Sequence, residues 1–358
     1  MKAARFFAPH DVRVVDVPIP EPRTGEVILR VAYNGICGSD LHAYLNGAGT
    51  PQEAPHPLTG HQNPTTLGHE FSGTVHKVGH GAESLSVGQR VVVEPVLSCG
   101  ACEQCYLANY SYCLKGVGPG LSVAAVGLGA DGGLGEYVAV PASLVHPIPD
   151  TLPLDLAALA EPTAVVNGAL KRAGFTIGDD IAVLGAGPIG LLLATLARVS
   201  GAGRIFISDV VPERRAKARE LGFVDVVDPT EGDPVAAILG AVPNGVDKVF
   251  DCAGVQASID MSLAIVKNSG TVMAVAIFES PVTIPLVVVT IKGISLLSTL
   301  SYANSFSRVI GLLDAHQDKF SPLITHVASL DDVVEDGFER LINGRADTKV
   351  LVSVAGGR

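Results

Sequence analysis

Over the first 150 residues, apolar and polar positions alternate in short β-branched runs at 26–32, 71–78 and 90–93, separated by Gly and Pro turns. Period-two alternation of this kind marks half-buried strands. It predicts an all-β region from Met1 to about Pro149. From about Leu156 the pattern changes to short apolar runs at 181–184, 205–208, 225–227, 248–252, 271–276 and 295–300, spaced by stretches of helical period at 188–199, 213–221 and 257–266. Pro212 suits a helix start. Strands alternating with helices predict an α/β fold built on a doubly wound parallel sheet, and six strands is the full dinucleotide-binding count. The tail from about Ser301 is mixed. Residues 43–66, with Pro51, Pro55, Pro57 and Pro64, read as a long loop that is either part of a substrate pocket or a surface connection. Residues 116–135, rich in Gly and Ala, read as an irregular, mobile loop.

Composition adds limits. A chain of 358 residues exceeds what one hydrophobic core serves, so two domains are expected, one of them able to interrupt the other. Hydrophobic residues at 47% against 17% charged argue for a compact architecture and suit an oligomer. The balance of 25 basic and 36 acidic residues, 25 − 36 = −11, leaves no electrostatic footprint for a phosphate backbone, so nucleic acid is not an expected partner. The apolar stretch 181–197 is broken by Gly185, Gly187, Pro188 and Gly190, which suits strand, turn and helix and excludes a membrane span there. The N-terminus MKAARFFAPH runs into Asp11, Arg13 and Asp16 with no long apolar region, so a cytoplasmic protein with reduced cysteines is expected.

Four of the six cysteines, Cys99, Cys102, Cys105 and Cys113, follow CxxCxxCxxxxxxxC. Two-residue gaps let thiolates converge on one tetrahedral ion, and four protein ligands leave no open position, so a structural zinc is expected. The alternative is an iron–sulfur cluster, although the usual continuation of Cys then Pro is absent. Cys252, at the end of a predicted core strand, reads as a small buried residue without chemistry.

A glycine fingerprint, Gly185, Gly187 and Gly190 with Pro188 and Ile189 between them, follows an apolar strand and opens a helical run. The glycines permit a tight turn and close backbone approach, and the helix N-terminus then faces a pyrophosphate. Asp209 ends the second strand, where an acid accepts hydrogen bonds from the adenosine ribose hydroxyls and repels a 2′-phosphate, so NAD is expected over NADP. Arg214 nearby is either a ribose contact or an exposed helix charge.

Cys37 in CGSDLH, His69 and Glu70 in LGHEFSG and Glu161 in AEPTAV make a scattered set of one thiol, one imidazole and two carboxylates. Each alone is weak, since a lone buried Cys or His is commonly packing. Together CGSD, GHE and EP stand in the order and rough spacing of the zinc-dependent medium-chain dehydrogenases, which this sequence resembles over essentially its whole length. Within that family it resembles the polyol branch. HPLTG, PTTLGHEFSG, VVVEPVLSCGACEQC, AIFESP and LSYANSF are similar to butanediol dehydrogenases.

The resemblance implies a GroES-like, mostly β catalytic domain at 1–155 and 301–358, interrupted by a Rossmann domain at 156–300. It implies a catalytic zinc on Cys37, His69 and Glu161, with Glu70 as an alternating or water-bridged fourth partner, and it places Ala253, Ala276, Ile277 and Leu300 by the nicotinamide. Ser39 offers a hydroxyl for a proton relay that His42 could finish; the plainer alternatives are a turn residue and a supporting hydrogen bond. An open zinc position supplies a Lewis acid for alcohol oxidation with NAD. The expected reaction is vicinal diol to hydroxyketone, with 2,3-butanediol and acetoin as the pair. Alternatives are a sorbitol-type or L-threonine 3-dehydrogenase and, in another class, a non-catalytic zinc and nucleotide-binding protein. A homodimer or homotetramer is expected, with residues 295–300 extending a sheet across a two-fold axis.

Overall fold

The computed structural model describes residues 1–355. The chain forms two compact units, the first comprising Met1–Glu161, Ala303–Gln317 and the chain from Ile324, the second Pro162–Tyr302 and Asp318–Leu323.

The first unit is built on a sheet ordered Ile324–Ser329, Lys349–Ser353, Glu26–Gly35, Glu70–Val78, Arg90–Val93 and Val145–Pro147, with Tyr137–Pro141 also pairing along Glu26–Gly35. A smaller sheet joins Asp11–Asp16, Lys2–Ala8 and Thr65–Thr66. Val27, Leu29 and Val31, at alternate positions, enter a core with Phe6, Phe71, Val91 and Phe338. Glu26–Gly35 runs antiparallel to both Glu70–Val78 and Lys349–Ser353, so its end meets the beginnings of those two strands. Gly35 pairs with Glu70 on one side and Leu351 on the other, and the Ile36 N–H donates to the Val350 carbonyl at 3.0 Å. Residues 35–37, 69–70 and 349 therefore gather at one edge of the sheet.

Three readings of this region need correction. The all-β expectation missed helix Gly38–Asn46, whose short GSDLHAYLN segment carries no sustained apolar stripe. That helix takes the first residues of the supposed 43–66 loop, and Thr65–Thr66 at its other end is a strand. Residues 116–135 are irregular as expected but packed: Ser122, Ala124, Val126 and Leu134 are buried, and the Leu134 and Gly133 N–H groups donate to the Leu67 and Gly68 carbonyls. Small residues here let the backbone enter the interior. A Cβ on Gly132 would lie 2.2 Å from the Gly68 carbonyl oxygen.

The second unit is a six-stranded parallel sheet ordered Asp225–Val227, Ile205–Ser208, Ile181–Leu184, Val246–Asp251, Val266–Ala274 and Ser295–Ser298. Numbered along the chain this is 3-2-1-4-5-6, the dinucleotide-binding order. The first three strands fall on the predicted residues, while the fourth and fifth begin earlier and the fourth to sixth end sooner than the apolar pattern suggested. Helices Pro188–Val199, Pro212–Glu220 and Pro234–Ala241 all begin on proline, which fits the first helical position because its missing N–H would have no partner there. Helix Gln256–Ile265 is also near its expected span, whereas Pro234–Ala241 and Leu286–Lys292 were not foreseen.

Candidate active site

Cys37 stands at the N-terminus of helix Gly38–Asn46, where the Asp40 carboxylate accepts a hydrogen bond from the Cys37 N–H at 2.9 Å. An acid three residues past the cap holds the entering chain in this way, as in a capping box. His69 immediately precedes strand Glu70–Val78, and Glu70 opens it. The register sets Glu70 against Gly35, and a Cβ there would lie 2.2 Å from Glu70 Oε2, so the carboxylate occupies space that an alanine would take. One ligand atom from each of Cys37, His69 and Glu70 lies within 4.8 Å of the others. Glu161 is not among these three. It is buried in the first turn of helix Ala160–Arg172, and its charge acts on Lys349 beside Glu70.

Around this cluster, Ser39 Oγ is 3.2 Å from His69 Nε2, and His69 Nδ1 is 3.4 Å from Asp40 Oδ1. Burial alone would lower the His69 pKa, but Asp40 and Cys37 favour the imidazolium and hold it well above the ordinary histidine value. Asp40 thus faces the ring as a charge partner, in the place where a carboxylate supports a histidine that binds a metal. His42 is half-buried, three residues along the helix from Ser39 and so on the same face.

Lys349 was not anticipated. Its Nζ donates to the Ile36 carbonyl at 3.0 Å and forms an ion pair with Glu70, both side chains being buried. Burial would lower the Lys349 pKa, but Glu70, Cys37 and Glu161 outweigh it and hold it raised, so the ammonium persists. Asp40 had a legible signal in its cap position; Lys349 had none, being 313 residues from Ile36 along the chain.

The cysteine lobe is a separate structure within the same unit. Cys102 is 3.5 Å from Cys105 and 4.0 Å from Cys113 between sulfurs, and Cys99 is 4.0 Å from Cys105. A tetrahedron with metal–sulfur bonds of about 2.3 Å has edges of about 3.8 Å, which matches. A polynuclear cluster would place its own iron and sulfide between the thiolates and hold them farther apart. The lobe is tied down by Tyr110, whose hydroxyl donates to Glu94 and accepts from the Asn304 N–H at 2.6 Å.

In the second unit, Gly185 takes φ of +102°, and a Cβ on Gly190 would fall 1.8 Å from the Gly185 carbonyl oxygen, so both positions need glycine. Gly187 caps helix Pro188–Val199, with Ile189 and Gly190 in its first turn. Asp209 is buried and accepts from the Ala186 N–H at 2.7 Å and the Val211 N–H at 2.8 Å. It therefore pins the glycine loop to the second strand. Arg214 Nη1 lies 3.7 Å from Asp209 Oδ2, so this side chain is neither an isolated surface charge nor remote from the loop. A Cβ on Gly185 would touch the Ala253 N at 3.0 Å, and one on Gly254 would touch the Ala276 Cβ at 3.0 Å, placing both alanines along the strand ends that carry the loop. Ile277 and Leu300 are exposed beyond the neighbouring strands, and Cys252 is half-buried, with desolvation pushing its thiol pKa up.

Residues 23–150 match the alcohol dehydrogenase GroES-like domain and residues 188–315 the zinc-binding dehydrogenase domain. The chain is 38% identical to the (R,R)-butanediol dehydrogenase of Neisseria gonorrhoeae, covering 99% of both chains. The chain belongs to the zinc-binding dehydrogenases. Other similar members are the sorbitol dehydrogenase of Bombyx mori, at 31% identity over 98% of each chain, and the crystal structure of 2R,3R-butanediol dehydrogenase from Bacillus subtilis, with a TM-score of 0.91 and 36% identity over 98% of this chain and 99% of that one.

The residues of this zinc-binding dehydrogenase suit the metal. Glu70 Oε1 is buried without a hydrogen-bond partner, and Lys349, together with His69 while its ring is protonated, faces the carboxylates of Asp40, Glu70 and Glu161 and the thiol of Cys37. Buried charge left unbalanced is costly, and a divalent cation supplies the balance. Thiolate, imidazole and carboxylate together form a zinc donor set. Among the described residues no helix is long and apolar enough to cross a membrane.

Proposed function

We propose that this dehydrogenase oxidises one secondary alcohol of a vicinal diol to a hydroxyketone, and runs the reverse, with 2,3-butanediol and acetoin as the favoured pair and NAD as hydride acceptor. The reading is carried by the convergence of half-buried Cys37 with buried His69 and Glu70 in a chain that matches a butanediol dehydrogenase from end to end. Cys37, His69 and Glu161 hold the zinc, with Glu70 as an exchanging fourth partner. The metal, when bound there, would supply a Lewis acid for the substrate hydroxyl, and NAD would supply the hydride acceptor. Ser39 Oγ would take the hydroxyl proton while giving up its own hydroxyl proton to His42, on the same helix face, which would pass a proton outward. Asp40 holds the imidazole ring in place, and Asp209 supports the glycine loop while its remaining lone pairs meet the ribose. Cys99, Cys102, Cys105 and Cys113 hold a structural zinc.

Thiols gathered as metal ligands suit a reducing, cytoplasmic setting. A two-fold pairing of second units along Ser295–Ser298 is supported by exposed Leu296 on that edge and by Leu286, Val287 and Ile291 on the preceding helix. The deciding experiment is a panel of butanediol stereoisomers, sorbitol and threonine with NAD and NADP side by side, following nucleotide absorbance in zinc-replete protein. Turnover is expected on a butanediol isomer with NAD. Turnover on sorbitol or threonine alone would overturn the diol assignment and leave the class standing.

A further inference from the structure

The strand register brings a lysine from near the end of the chain against the carboxylate that neighbours Cys37 and His69. Lys349 and Glu70 are both buried, and the lysine is anchored from behind by the Ile36 carbonyl at 3.0 Å. Gly35 opposite leaves a seat for the carboxylate that any larger residue would fill, its absent Cβ lying 2.2 Å from Glu70 Oε2. The seat therefore has a floor at Gly35, a cation at Lys349 and an open side toward Cys37 and His69. A buried ion pair of this sort contributes little net stability, since desolvation offsets attraction, so holding a carboxylate at a chosen place is the better account of why both charges are there.

We propose that Lys349 is a positioning residue that competes with the metal for Glu70, drawing the carboxylate back to the Gly35 seat so that a coordination position stays open for substrate. The proposal rests on the reading of Cys37 and His69 as zinc ligands. With the ammonium removed, Glu70 has one cation left to pair with, the metal itself. It then closes the coordination sphere, and zinc leaves more slowly while turnover falls.

The test is zinc release to excess chelator from the full-length, zinc-loaded protein, taking the kinetic phase that Cys37→Ala protein lacks, together with kcat on the alcohol identified above. Lys349→Met is expected to slow that phase by about tenfold to a hundredfold, the usual scale for a residue acting through a metal ligand. Lys349→Arg, which keeps the cation, is expected to release zinc at the wild-type rate. In a Glu70→Gln background the Lys349→Met effect is expected to vanish. Gly35→Ala leaves both charges in place and evicts the carboxylate from its seat, so it should slow release even if Lys349→Met protein does not fold. Release that is unchanged or faster in both Lys349→Met and Gly35→Ala, or slowed equally without Glu70, overturns the proposal. Wild-type protein with no Cys37-dependent zinc would overturn the underlying zinc reading as well, and zinc content tells these failures apart.

Discussion

The cysteine lobe draws its four thiols from one short stretch, residues 99–113, and leaves three of them partly exposed. The cluster of Cys37, His69 and Glu70 draws on two separate segments, buries its imidazole and carboxylate, and is completed by a lysine from a third segment. The lobe's geometry is local: short helical turns at Glu103–Tyr106 and Tyr110–Tyr112 suffice to bring the sulfurs within 3.5–4.0 Å. The central cluster exists only when three strands are in register. A site of the first kind can stabilise a loop as soon as metal binds, while a site of the second kind can hold groups short of full coordination, which catalysis at a metal requires.

The largest effect that would sharpen this contrast is expected from Cys37→Ala. Losing the metal forfeits several kcal/mol of transition-state stabilisation, on the order of a thousandfold in kcat/KM, with one zinc per chain retained in the lobe. Metal content and kinetics on the same preparation check it; full loss of both zincs would break the claim that the sites are independent. Ser39→Ala comes next. Removing a proton carrier costs on the order of a hundredfold in kcat, and the solvent isotope effect should change with it. An unchanged isotope effect removes Ser39 from the proton's path.

Cys102→Ser should act in the opposite sense, lowering the melting temperature and removing the lobe's zinc while kcat/KM per folded chain stays unchanged. Loss of activity in the folded, centrally loaded protein would make the lobe part of the reaction. The smallest effect concerns pH. Because the folded His69 pKa lies above that of the unfolded chain, zinc-free protein has the stability from its protonation fully below about 6.5 and loses it as pH rises through the folded value. Zinc binding requires the neutral ring. The gap in melting temperature between zinc-loaded and zinc-free protein should therefore widen as pH rises from about 6.5. A gap that narrows would mean His69 does not hold the metal.

The contrast also explains what could be read beforehand. Strand Ile181–Leu184 and helix Pro188–Val199 fall on the residues that periodicity picked out, because a buried element repeats its apolar positions at the spacing of its own geometry. Helix Ala160–Arg172, carrying Glu161, escaped notice because Pro162 and Gly168 look like breakers. Pro162 is harmless in the first turn, and Gly168 lies where a Cβ would come tightly, at 3.2 Å, against the Ser301 carbonyl oxygen. The position of Asp209 at a strand end is legible as that of a ribose acceptor; its bond to the Ala186 N–H of the glycine loop is not, since it depends on a fold that brings Ala186 to the end of the second strand.

By itself, then, the sequence determined the features whose parts are close along the chain: the parallel sheet's strands, the glycine turn that a Cβ would destroy, and the four thiols that short spacing forces together. Tertiary structure decided which distant charges face each other. Nothing in KVLVS reveals that its lysine lies against Glu70, since periodicity records only that a face is buried. A buried carboxylate needs a compensating cation, and the register of Lys349–Ser353 beside Glu26–Gly35 chose which one it received.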